Sequence, residues 1–453
     1  MNIAFLTLSN INNINDRGIY SDLFRKFRDE GHEVYIVKSL ERRTGPKTEL
    51  FESDGVHILG VQTLNIQKTN IIEKGLGTVL LEGQYKRAIQ RYLGKVRFDL
   101  ILFSTPPITL VGAIKYLKRL NPQALTYLLL KDIFPQNAVD IAMMKEGGLL
   151  HRYFRHKEVQ LYKASDYIGC MSPANVEFVK RHNPYINPDT VEVAPNSVEL
   201  TSQRVSESTS QRASESASPR VAESASQRVA ESASQRVSES TSQQVSASPR
   251  VSESTGPQDN ESTGVLSKYG LPADRPILIY GGNLGKPQGI PFLMQCLEAN
   301  KCRTDCHFVV VGTGTEFGKL KEWYDNARPQ NMTLMAGLPK EDYDLLVRSC
   351  DAGLIFLDHR FLIPNFPSRL LSYLENRMPV IVATDPNCDM GPIAQANGFG
   401  YWCESNSVEA FTECVDKLLS SDIKAMGERG YRFLCDNYLV EHTYNAIMRH
   451  FDA

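Results

Sequence analysis

No stretch of this 453-residue chain reaches the roughly 18 consecutive apolar residues that a membrane-crossing helix requires. Its first residues, MNIAFLTLSN, have neither the basic start nor the long apolar run of a secretory signal. We therefore expect a soluble, cytoplasmic protein, peripheral at most on the inner face of the plasma membrane. Excess positive charge is also missing. The formal balance is −2, which excludes a nucleic-acid binder held mainly by phosphate contacts. Nine cysteines, eight of them after residue 290, follow no regular spacing, so no disulfide framework is expected. Cys302, Cys306 and His307 stand close together but lack a fourth ligand, and no metal site is expected there.

What the chain has is length and rhythm. At 453 residues two domains are the prior. Residues 1–200 hold 26 Lys and Arg against 21 Asp and Glu, whereas residues 264–453 hold 18 against 23. An anionic membrane surface is one reason for a basic first half, and uneven solvated faces are the other. Short apolar runs alternate with helical patterns in both halves. In the first they fall at Asn2–Leu8, Glu33–Val37, Leu100–Phe103, Leu125–Leu130, Tyr167–Met171 and Val191–Ala194. In the second they fall at Ile277–Tyr280, His307–Val311, Thr333–Met335, Ala352–Phe356 and Val380–Ala383. This order predicts two α/β, Rossmann-like domains with parallel sheets and ligands at the carboxyl ends of the strands.

Between the halves an octapeptide repeats from Arg204, as in RVSESTSQ and RVAESASQ. One small apolar residue per octad turns by about 80° per repeat on a helix and forms no stripe. It also buries too little to offset chain entropy. We expect a first domain over 1–199, a disordered Ser-rich linker over 200–263, a second domain over 264–435, and a C-terminal helix over 436–453 that crosses back. A flexible chain of that length spans roughly 45 Å, enough to bridge two domains.

The chemistry should gather at four successive strand ends of the second half. GGNLGKPQG (281–289) is a Gly-rich strand-to-helix turn carrying Lys286. VVVGTGTEFGKL places Gly312 and Gly314 at the next strand end. MAGLPKEDYDLL brings Gly337 and Leu338 before a helix opened by Pro339, and PSRLLSYLENRMP opens another helix with Pro-Ser-Arg. Glycine permits close backbone approach, and N–H groups with the helix dipole favour an anion such as a diphosphate.

With these motifs the second half resembles the donor domain of glycosyltransferase family 4, retaining enzymes of GT-B fold. NDRGIYSDL, DLILFSTPPIT, LLLKDIFPQNAVDI, DYIGCMSPANVEF and GGNLGKPQG together are similar to the branch that builds bacterial capsule and O-antigen polysaccharides. The resemblance covers nearly all of the chain outside the repeat. It implies a GT-B fold, two Rossmann-like domains facing across a cleft. It also implies a nucleoside diphosphate sugar as donor (UDP-linked) and a lipid-linked sugar acceptor, with no metal or other cofactor.

The same resemblance assigns residues. Arg369 falls on the cation of the Pro-Ser-Lys element and would hold the β-phosphate, with Ser368 beside it. Gly18, Gly282, Asn283, Lys286, Gln288, Gly289, Gly312, Gly314 and Leu338 would line the donor. Asn283 and Gln288 are neutral where other members hold the diphosphate with an Arg and a Lys. The family's Glu-x7-Glu pair falls on Pro364 and Ser372, so both carboxylates are absent. Ser372 would be left to meet the ribose, and nearby Glu375, out of register, is read as solvent-facing. Asp132, at the end of a buried strand, would orient an acceptor hydroxyl or stabilise a cationic sugar; its alternative role is a helix N-cap. Lys68, Asn70, Glu73 and Lys74 are acceptor-contact candidates that ordinary loop polarity explains as well. His151–Lys163 interleaves cations with aromatics. It would rest on anionic lipid, or else pack through Tyr153, Phe154 and Leu161 with a solvated basic side. Rival readings are a nucleotide-sugar 2-epimerase and a catalytically inactive nucleotide-binding protein of the same fold.

Overall fold

The computed structural model describes residues 1–45, 47–65, 71–200 and 264–451. The octapeptide repeat and the candidates Lys68 and Asn70 lie outside the described residues, as does the side chain of Lys74. Two sheets form separate layers. The first comprises β1 (Asn2–Leu6), β2 (Glu33–Glu41), β3 (Glu49–Ser53), β4 (Val56–Thr63), β5 (Leu100–Ser104), β6 (Leu125–Leu130), β7 (Tyr167–Cys170) and β8 (Val191–Val193), in the order β3-β4-β2-β1-β5-β6-β7-β8. All neighbours are parallel except the hairpin β3–β4. The second sheet is wholly parallel: β9 (Ile277–Asn283), β10 (His307–Thr313), β11 (Met332–Met335), β12 (Ala352–Phe356), β13 (Val380–Thr384) and β14 (Gly400–Glu404), ordered β11-β10-β9-β12-β13-β14. Two Rossmann-like layers are thus present, as the strand rhythm predicts.

Apolar runs without alternation make these strands. Every residue of β5, β12 and β13 is buried, which a parallel sheet covered by helices on both faces demands. The strand order also fixes where a ligand can sit. In each sheet the direction of winding reverses once, between β1 and β5 and between β9 and β12. Loops at such a switch point diverge to opposite faces and leave a crevice at the strands' carboxyl ends. The loops after β1, β5 and β6 face those after β9 and β12, so the two crevices make one cleft.

Several contacts join the domains. Arg17 in the loop after β1 pairs with Glu375 of the second domain at 2.6 Å. Ala174 N donates to Asp389 Oδ2 (3.0 Å), and Asn175 Nδ2 donates to the Pro364 carbonyl. Past the second domain, the helix Val440–Met448 lies against the helix Ile19–Asp29. There Tyr444 packs on Phe27 at 4.9 Å, and Thr443 donates to the Pro195 carbonyl at 3.0 Å.

Candidate active site

The turn after β9 is built from glycines that neighbouring atoms require. A Cβ on Gly281 would lie 2.0 Å from the Tyr343 hydroxyl, and Gly282 has φ +118°. Gly289, at φ +58°, starts the helix Ile290–Asn300 in a left-handed conformation. Gly312 and Gly314, at the end of β10, are needed for packing. A Cβ there would meet the Gly282 and Leu284 carbonyl oxygens at 1.9 and 2.2 Å. Two adjacent strand ends are thereby pressed together beneath an open turn. Gly282, Asn283 and Lys286 are exposed on it.

Arg369 reaches this turn from the far side of the switch point. Its Nη2 donates to Gln288 Oε1 at 2.7 Å, and its guanidinium carbon lies 4.6 Å from the centroid of the Tyr280 ring. Among the described residues Nη1 is buried with no partner. The position of the cation and the neutral Gln288 are therefore one feature. An uncompensated buried donor costs roughly 1–3 kcal/mol, a cost that an anion at the turn would remove. Ser368, one residue before, is exposed at the cleft, Leu338 is half-buried, and Ser372 is half-buried one turn further along the helix Arg369–Glu375.

Glu375 corrects an expectation. It is 6% exposed rather than solvent-facing, and it accepts from Arg17 Nη2. The helix periodicity places it three residues from Ser372, on the side that meets the first domain. Sequence spacing within one domain carries no information about that neighbour. Gly18, next to Arg17, precedes the helix Ile19–Asp29, and its N–H donates to Asp22 Oδ1 at 3.0 Å.

Across the cleft, Asp132 follows β6. Its Oδ1 accepts from Asn137 Nδ2 at 2.7 Å, and its backbone N–H donates to Thr105 Oγ1 at 3.2 Å. The helix that follows, Gln136–Asp140, has Pro135 at its N-cap with no side-chain capping bond, so the capping alternative does not describe Asp132. Burial pushes its carboxyl up to about 6, and the Asn137 bond only partly opposes this. Sequence reasoning passed over Lys131. Its ammonium donates to the Ala194 carbonyl at 2.9 Å, and burial pulls its pKa down to about 7. The only signal for it was a cation at the end of an apolar run, LLLKD.

A cavity of about 490 Å³ lies between these groups, lined by Lys131, Asp132, Asn137 and Asn196 of the first domain and by Gln288, Asn365 and Ser368 of the second. Among the described residues Asn137 Oδ1, Asn196 Oδ1 and Asn365 Nδ2 are buried without a partner. Two larger hollows, of about 890 and 900 Å³, lie among helices on outer faces. Neither touches the carboxyl end of a strand, so size does not select the site; the switch points and unpaired groups do. Glu73 does not line the cleft cavity and accepts from Asn65 Nδ2 at 2.7 Å. Cys302, Cys306 and His307 do not converge. Cys302 is exposed, Cys306 is buried, and His307 Nε2 bonds to Thr333 Oγ1 at 2.8 Å.

Known proteins share this architecture. Residues 265–433 match the family model described as glycosyl transferases group 1, which takes in β9 to β14 and Arg369. A Pseudomonas aeruginosa protein described as a probable glycosyltransferase, WbjE, is 20% identical over 157 residues, which is 35% of this chain and 39% of that relative's own length. Among solved structures, sucrose-phosphate synthase from Thermosynechococcus elongatus superposes with a TM-score of 0.66 at 12% identity, covering 100% of this chain and 98% of the other. HepE of Anabaena, solved in complex with UDP, gives 0.57 at 12% identity, with 100% of both chains covered. The fold is GT-B, and the second domain is of the glycosyl transferases group 1 type.

Proposed function

We propose that this chain is a retaining glycosyltransferase that moves a sugar from a nucleoside diphosphate, UDP-linked, to a hydroxyl of a lipid-linked glycan in cell-surface polysaccharide synthesis. The observation that carries the reading is Arg369, a buried guanidinium with a free Nη1 beside the glycine turn of the switch point. As the bond from the sugar's anomeric carbon to the diphosphate breaks, negative charge grows on the β-phosphate. A positioned guanidinium stabilises that state more than the ground state. Lys286 and the backbone of residues 282–289 add to the grip, and the diphosphate is held without a metal. Asp132, across the cavity, faces the sugar and the incoming hydroxyl. HepE, which shares the fold, is solved with UDP, and this supports the choice of nucleotide.

A lipid-linked acceptor has a surface to arrive on. Among the described residues no helix is long and apolar enough to cross a membrane. Two helices of the first domain nevertheless present exposed apolar residues. Leu149 is 88% exposed on the helix Leu149–Tyr162, and Val79 is 61% exposed on the helix Ile71–Tyr92. The Lys157–Glu82 ion pair (2.9 Å) joins the two. On the first of them Leu161 is core and Phe154 packs on Phe134 at 4.9 Å, while Tyr153 points outward. Apolar residues with the exposed Lys86 and Arg152 near them suit an anionic lipid surface, in line with the acceptor we propose.

Calorimetric titration of the purified protein with UDP, GDP and dTDP in EDTA tests the donor site. Micromolar binding of UDP is expected. Binding of none, or only when a divalent metal is restored, would overturn it.

A further inference from the structure

The loop that delivers Ser368 and Arg369 is fastened from the opposite domain. Asp140, the last residue of the helix Gln136–Asp140, turns one carboxylate oxygen toward that loop. Its Oδ2 accepts the backbone N–H groups of Leu362 (2.8 Å) and Ile363 (3.1 Å), and its Oδ1 accepts from Gln136 Nε2 at 2.7 Å. The same helix carries Asn137, which holds Asp132. Six residues after Ile363 the chain reaches Arg369 and its bond to Gln288. A continuous series of contacts thus runs from the Asp132 carboxylate of the first domain to the guanidinium of the second. Asp140 crosses the domain boundary to the start of that loop, and Asn175 holds the same loop through the Pro364 carbonyl.

We infer that Asp140 is a positioning residue that sets the grip on the β-phosphate from the other domain. It does not touch the ligand; it fixes where the loop 362–368 ends. Charge-assisted bonds to two consecutive amides hold that segment more firmly than neutral ones would. The inference rests on the proposed role of Arg369, and misplacement by about 1 Å at such a site can cost on the order of 100-fold. The contact also ties nucleotide grip to domain closure, because separating the domains would release both amides.

The test compares UDP with UMP, which lacks the β-phosphate, by calorimetry on the full-length protein and on Asp140→Ala and Asp140→Asn. For the native protein UDP should bind at least tenfold more tightly than UMP. In Asp140→Ala that preference should shrink about tenfold while the UMP affinity stays within threefold. In Asp140→Asn, which keeps an acceptor oxygen for the amides, the preference should stay within threefold of native. An unchanged preference in Asp140→Ala, or equal weakening of UMP and UDP, would reduce Asp140 to a structural contact and overturn the inference. If the alanine variant does not fold, Asp140→Ser, whose hydroxyl falls short of the loop, carries the same comparison. A native protein with no preference for UDP over UMP would remove the role of Arg369 itself, and the inference with it.

Discussion

Replacing Arg369 by alanine should separate stability from function. In the folded protein the guanidinium loses a bond to Gln288, worth about 1.5–3 kcal/mol for a charged donor, and a contact over Tyr280, worth about 0.5–2 kcal/mol. Against this, the change relieves a buried unpaired Nη1 and a desolvated charge, about 1–3 kcal/mol. These nearly cancel, so the net loss should stay near 1 kcal/mol, a shift of roughly 2–4 °C in Tm for a domain of this size. Function should not cancel. Losing the cation at the leaving diphosphate should cost about 3 kcal/mol or more, at least 100-fold in kcat, because that group gains charge only as the bond breaks. Arg369→Lys should recover only part of this, since an ammonium lacks the planar fork. The assays are thermal melting, UDP titration and turnover per folded molecule. A variant that melts 10 °C lower yet turns over normally would refute the reasoning and make Arg369 a prop for the helix start.

The Arg17–Glu375 pair should show a coupling of about 1–3 kcal/mol in a double-mutant cycle read by denaturant unfolding, because Glu375 is left buried without its cation. A coupling below about 0.3 kcal/mol would make it an ordinary surface pair. Asp132→Asn should stabilise the protein at pH 8 and change little at pH 3. The folded carboxyl is raised from 3.8 to about 6, so the native state keeps a proton that the unfolded chain loses over that range, and stability falls as pH rises through it. At about 1.4 kcal/mol per pH unit the gain is at most about 3 kcal/mol, less because the side chain is partly exposed. Melting curves at the two pH values check it, and a less stable Asn variant at pH 8 contradicts it. Deleting residues 204–254 should leave turnover nearly intact, and a severe loss would give the repeat a role beyond tethering.

The strands that the sequence disclosed best are the buried ones. Leu125–Leu130 and Ala352–Phe356 were legible to the residue, because an apolar run bounded by polar turns leaves little choice. The edge strands β8 and β11 were read as well, but β3, β4 and β14 were missed. The β3–β4 hairpin turns through Asp54-Gly55, both at positive φ, so a two-residue turn signal was present but flanked by half-exposed, mixed sequence. β14 mixes buried Gly400 and Cys403 with half-buried Tyr401 and Trp402 and exposed Glu404, so it shows no continuous apolar run. Within the site, glycine turns and Arg369 could be read because their chemistry is local. Lys131, Asp140 and the burial of Glu375 could not, since each depends on an atom more than 60 residues away. Local spacing cannot announce a partner supplied by a distant part of the chain.

The central claim is transfer of a sugar from a nucleoside diphosphate, and NMR of UDP-glucose, UDP-galactose and UDP-N-acetylglucosamine incubated with the protein and extracted lipid-linked glycan tests it most directly. The account predicts that one donor releases UDP while a new anomeric signal, of the donor's own configuration, appears on the glycolipid. Three intact donors, or a donor converted to its 2-epimer with no UDP released, would contradict it.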